Sequence, residues 1–119
     1  LNKFGEVVLG ANAVLDDGCK IGYLSPRKGV ERILKIGDNA VVRTGTVIYA
    51  GSTIGDHLET GHNVVIREEN EIGSRFSIWN NSVIDYGCRI GDNVKIHCNV
   101  YGAQVTIMED DVLLAPGVR

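Results

Sequence analysis

Stepping through the chain six residues at a time from Ile36 gives an almost unbroken aliphatic column. It runs Ile36, Val42, Ile48, Ile54, then Ile66, Ile72, Ile78, Ile84, Ile90 and Ile96, and ends with Met108 and Leu114. Of fourteen such positions only Thr60 and Gly102 are not aliphatic or Met. Neither the 3.6-residue period of a helix nor the two-residue alternation of a half-buried strand produces a strict period of six. Such a repeat specifies a stacked architecture in which each unit buries its apolar side against its neighbours.

The remaining slots say how the unit bends. Four residues after each lead position the side chain is mostly small or apolar, as in Ala40, Val64, Ser82, Cys88 and Val94, which defines a second, tighter inward slot. Three residues after the lead, nine of fourteen residues are Asn or Gly, the types that most readily accept positive φ. Each hexad is therefore a short extended segment followed by a corner. Three hexads close one triangular coil, and successive coils stack as parallel strands about 4.8 Å apart.

These features predict an all-β parallel β-helix of about five to six coils, forming a single domain over residues 1–119. Residues 1–22 supply the first coil through Leu9, Leu15 and Ile21, and residues 36–119 supply the in-register hexads. The step from Ile21 to Ile36 is not a multiple of six, so residues 23–35 are expected to leave the coil as a loop. That loop carries Arg27, Lys28, Arg32 and Lys35. It is either a solvated excursion or a basic arm that reaches a phosphate-bearing ligand.

Composition narrows the function classes. The formal charge is −3, without a block of like charges, which offers neither a nucleic acid nor an anionic membrane an electrostatic footprint. The longest apolar runs are far shorter than the roughly 18 residues of a membrane-spanning helix. Three cysteines, Cys19, Cys88 and Cys98, lack C-x-x-C spacing, which favours a reducing, cytoplasmic setting over a disulfide framework. Cys19 and Cys88 fall in the small inward slot as core fillers, whereas Cys98 points elsewhere. Leu1 opens the sequence with no secretory pattern behind it, and reads as a trimmed or internal boundary.

The tandem forms Ile36-Gly37-Asp38-Asn39, Ile54-Gly55-Asp56, Ile72-Gly73-Ser74 and Ile90-Gly91-Asp92-Asn93 resemble the hexapeptide-repeat acyltransferases. That resemblance implies a left-handed parallel β-helix. The run Thr60–Glu68, and the later stretch with Glu109-Asp110-Asp111-Val112 ahead of Ala115-Pro116-Gly117, are similar to bacterial sugar-nucleotide N-acetyltransferases. The resemblance implies a homotrimer that transfers an acetyl group from acetyl-CoA to an amino group of a nucleotide-linked sugar. It also implies Ala103, Ala115 and Gly117 as residues along acetyl-CoA, with no metal. Members of that family usually continue for further coils and a capping segment beyond the equivalent of Arg119.

Stacking arithmetic places side chains three hexads apart above one another. Gly61, Trp79 and His97 form one column, His62, Asn80 and Cys98 the next, and Asn63, Asn81 and Asn99 a third. His62 is the leading candidate for a general base, because imidazole titrates near neutrality and acyl transfer to an amine needs a proton acceptor; the alternative is an exposed turn residue. His97 is either a second base candidate or a surface side chain, and His57 falls at a different corner. No Asp or Glu shares the His62 column, so an orienting carboxylate is expected from elsewhere. If the departing CoA sulfur takes the proton instead, Asn80 and Asn99 position the amine. Asn63, Asn81 and Asn99 either support positive-φ corners or hold sugar hydroxyls and the acyl oxygen. Trp79 is a subunit contact or a ligand platform, and Arg67 is assigned to substrate binding.

Two other functions compete. A β-helix module serving as a scaffold without activity would share the repeat. A metal enzyme of the γ-class carbonic anhydrase type uses the same fold and three histidines, but the Gly61-His62 pair is followed five residues later by Arg67, where a second His is needed. His57, His62 and His97 also do not share one edge.

Overall fold

The computed structural model describes residues 3–118. Seventeen strands among these residues, numbered along the chain, build three parallel sheets with no helix. Sheet I runs β1 (Glu6–Leu9), β4 (Ile33–Ile36), β7 (Thr53–Ile54), β10 (Glu71–Ile72), β13 (Arg89–Ile90) and β16 (Ile107–Met108). Sheet II runs β2 (Val14–Leu15), β5 (Val41–Val42), β8 (Glu59–Thr60), β11 (Ser77–Ile78), β14 (Lys95–Ile96) and β17 (Leu113–Leu114). Sheet III runs β3 (Lys20–Tyr23), β6 (Val47–Tyr49), β9 (Val65–Ile66), β12 (Val83–Ile84) and β15 (Tyr101–Gly102). The chain is thus the all-β parallel solenoid that the hexads require.

From β4 onward the partners are three hexads apart, as in Lys35↔Thr53, Ser77↔Lys95 and Val83↔Tyr101. Every lead position from Ile36 to Met108 and every second slot from Ala40 to Val100 is buried. Stacked Ile and Val therefore fill the prism, each burial stabilising by about 1.5–3 kcal/mol. Gly102 breaks the column for a steric reason. A Cβ there would lie 2.9 Å from the Ile84 side chain and 3.6 Å from that of Met108, so the larger neighbours occupy its space.

The corners are regular beyond their composition. All fourteen corner positions from Asn39 to Gly117 have positive φ, including His57, Glu69, Arg75, Val105 and Asp111. All of them except Gly45 donate the backbone N–H to the coil before, as with His57 N–H to Asp38 O at 2.8 Å and Val105 N–H to Tyr86 O at 2.9 Å. At the corner between sheets I and II the Ile-Gly-Asp form has a mechanical basis. Asp56, Asp92 and Asp110 each accept a hydrogen bond from a backbone amide one coil back, at 2.7, 2.8 and 2.7 Å. The glycine leaves room for that carboxylate: a Cβ on Gly73 would lie 2.2 Å from Asp92 Oδ1.

The first coil differs. The pairs Glu6↔Ile33, Val14↔Val41 and Lys20↔Val47 are each separated by three hexads and a further nine positions. Those nine are the loop 24–32. It is shorter at both ends than the expected excursion at 23–35, because Tyr23 still pairs with Tyr49 and residues 33–35 pair with β1. Strand pairing outlasts the hexad pattern.

Candidate functional site

The corner between sheets II and III gathers most of the predicted residues. Register pairs Ile78 with Thr60 and with Ile96, so Gly61, Trp79, His97 and Ala115 form one column along it. His62, Asn80 and Cys98 form the next, followed by Asn63, Asn81, Asn99 and Gly117 at positive φ. His62 and His97 are exposed and Trp79 is half-buried. The ridge is held from within: Ser82 Oγ donates to His97 O at 2.6 Å and accepts from Val100 N–H at 3.0 Å.

His62 is oriented by the backbone. Its Nδ1 lies 3.3 Å from the carbonyl oxygen of Thr44. A carbonyl only accepts, so in the neutral ring this contact places the proton on Nδ1 and leaves the Nε2 lone pair free. The carboxylate expected from elsewhere has a substitute in the coil below. Asn80 has a structural bond, its Oδ1 accepting from His62 N–H at 2.8 Å. The corner residues Asn81 and Asn99 donate their backbone N–H groups to His62 O and Asn80 O at 3.1 and 3.0 Å.

Arg67 and Ala103 belong to another corner, between sheets III and I, in one column with Tyr49 and Asp85. They do not join the histidines, and Ala103 is thereby separated from Ala115 and Gly117. Six-residue stepping assigns each residue a corner, and one hexad more rotates it to the next side. His57 lies at the corner between sheets I and II with φ 60°. Among the described residues no group of three or more His, Cys, Asp or Glu is placed to hold a metal ion.

At the corner of Arg67 the structure reveals a buried carboxylate that the sequence reading did not single out. The Glu68 side chain is 0% exposed. It accepts from Ser25 Oγ at 2.6 Å, Arg27 Nη1 at 3.1 Å and Arg67 Nε at 2.9 Å. Burial by itself raises its carboxyl, but the hydrogen bonds from Ser25, Arg67 and Arg27 outweigh burial and hold it at about 2. The two guanidiniums also lie on aromatic rings, Arg27 3.9 Å from the Tyr86 centroid and Arg67 4.8 Å from that of Tyr49. Arg27 further pairs with Glu69 at 2.9 Å. The basic loop therefore has its leading arginine turned inward as a latch, while Lys35 lies exposed in β4. The signal available in the sequence was Glu68 itself, a charge one position past Arg67 at the slot that Ala50 fills one coil earlier.

The cysteines divide as expected for the inner pair. Burial raises the thiols of Cys19 and Cys88, and Cys88 Sγ lies 3.2 Å from Ala103 O. Cys98 is half-buried beside the ridge.

Comparison of the chain with protein-family models, with curated proteins and with solved structures finds no match in any of the three.

Proposed function

We propose that the chain is an acetyltransferase that moves an acetyl group from acetyl-CoA to an amino group on a nucleotide-linked sugar. The carrying observation is His62, exposed on a ridge with His97 and Trp79, its Nδ1 turned to the Thr44 carbonyl so that Nε2 is free to act as a base. In this reading the substrate amine attacks the thioester carbonyl, Nε2 takes the proton, the carbon–sulfur bond breaks and CoA leaves as thiolate. Asn99 and Asn81 supply side-chain amides along the same ridge, and Ala115, in the column of His97, and Gly117, in the column of Asn81 and Asn99, lie on the two columns that flank that of His62.

A homotrimer in the cytoplasm belongs to the same proposal. Val65 and Val83 are outward and only half-exposed on sheet III, which leads away from this corner, and Trp79 stands at its edge. Apolar positions of this kind suit contact with further copies of the chain.

The test is turnover of acetyl-CoA with an amino-sugar nucleotide by the assembled protein, with particle mass measured in parallel. His62→Ala is expected to lower turnover about 100-fold or more with little change in acetyl-CoA binding. Wild-type turnover with an unchanged rate in His62→Ala would transfer the proton to the CoA sulfur. Absence of acetyl-CoA binding at millimolar concentration would overturn the proposal.

A further inference from the structure

The irregularities of the first coil converge on one cleft, of about 470 Å³, bounded by Lys3, Phe4, Lys20, Tyr23, Val47 and Tyr49. Its volume lies within the range of small-molecule sites. The chain has seven aromatic residues, and three of them meet here. Tyr23 stands edge-on to Phe4, with ring centroids 5.7 Å apart, and to Tyr49, 5.4 Å apart.

A local fault in the pairing makes this cluster possible. In strict alternation Lys20 faces outward and Tyr23 inward. The register between β3 and β6 shifts between Ile21 and Tyr23, at Gly22 with φ 82°. That extra residue brings Tyr23 opposite Tyr49 on the outer face, beside Lys20. Bulges of this kind re-aim side chains and recur next to functional sites. The chain before β1 then returns antiparallel along Tyr23, through a bridge at Phe4 and a bond from Leu24 N–H to Lys3 O at 2.8 Å, and walls the cleft.

The cleft also carries unpaired positive charge, as Lys28, Arg32, Lys35, Arg75 and Lys95 do elsewhere among the described residues. Arg27, Arg43, Arg67 and Arg89 are each ion-paired to a carboxylate. Lys3 and Lys20 have no ion-pair partner among the described residues. Two unneutralised ammonium groups over an aromatic and aliphatic floor are complementary to a flat ring that carries an anionic group.

We propose that this cleft binds the base and diphosphate of a nucleotide, with the rings and Val47 against the base and Lys3 and Lys20 toward the phosphates. Two ligands of the proposed reaction share that chemistry, a nucleoside-diphosphate sugar and the 3′-phospho-ADP end of CoA. Only the choice between these probes rests on the acetyltransferase reading.

The experiment is calorimetric titration of the full chain with UDP and, separately, with adenosine 3′-phosphate 5′-diphosphate. Uridine and inorganic pyrophosphate serve as half-ligands. At least one nucleotide is expected to bind saturably, and both half-ligands at least about tenfold more weakly. Lys20→Ala, on an exposed side chain, and Tyr23→Leu should each weaken the nucleotide about tenfold or more. Lys95→Ala, the same charge change on sheet II, should leave it unchanged. No saturable binding of either nucleotide, affinity indifferent to Lys20→Ala and Tyr23→Leu, or pyrophosphate binding as tightly as the nucleotide would each overturn the proposal. Cleft-dependent UDP binding without acetyl transfer would keep this site and discard the proposed activity.

Discussion

The first coil and the coils after it use the same hexad differently. Among the coils after the loop the partners sit three hexads apart, beginning with Lys35↔Thr53, and the lead and second-slot side chains are buried as far as Met108 and Val100. In the first coil the spacing is longer, Val7, Leu9, Cys19 and Ile21 are only partly buried, and Val14 and Leu15 are 49% and 38% exposed. Regular repetition buys a closed core but gives every coil nearly the same surface. The nine extra residues, the bulge at Gly22 and the antiparallel return at Phe4 sacrifice burial and create the two most individual features of the molecule, the Glu68 latch and the aromatic cleft.

Core truncation should expose this contrast most strongly. Ile78→Ala removes a fully buried side chain and is expected to cost about 3–4 kcal/mol in denaturant unfolding. Val7→Ala in the first coil is expected to cost about 1 kcal/mol. Equal costs would mean that the first coil is as fully integrated as the rest.

The latch gives the next largest effect. Glu68→Gln keeps the shape but removes the charge that Ser25, Arg27 and Arg67 address, and should cost about 2 kcal/mol. Faster amide exchange is expected in residues 24–32, with the coils beyond unchanged. The acid response follows from the carboxyl, which moves from an ordinary 4.5 to about 2 in the folded chain. A depressed folded value means that its contribution is fully present above about 4.5 and is lost as pH falls towards 2. Wild-type stability should decline across that interval more steeply than that of Glu68→Gln.

The smallest effect concerns the corners. Val105 is β-branched, 66% exposed and held at φ 60°, a conformation such residues rarely adopt. Val105→Asn should raise stability by about 1 kcal/mol, read as a higher melting temperature. Asparagine already stands one hexad earlier, at Asn99, so an unchanged melting temperature would show that the neighbouring coil removes the strain.

The legible part of the site was the part that obeys translation. His62, Trp79, Asn80, His97 and Asn99 share a corner because stacking by three hexads is arithmetic. Arg67 and Ala103 lie at a different corner, because one hexad more turns a residue to the next side of the prism. The orientation of His62 was hidden because Thr44 acts through its carbonyl, which every residue possesses. The latch was hidden for another reason: Ser25 and Arg27 reach Glu68 across 43 and 41 residues from a loop with no repeat to index it.

The period of six alone determined the parallel solenoid, its core columns and nine of its fourteen corners, because each coil solves the same packing problem with the same residue types. Tertiary structure decided the other five corners, where the bond to the preceding coil holds His57, Glu69, Arg75, Val105 and Asp111 at positive φ against their intrinsic preference. It alone also decided the latch and the cleft, since both depend on chain that leaves the repeat and is positioned only by what it meets.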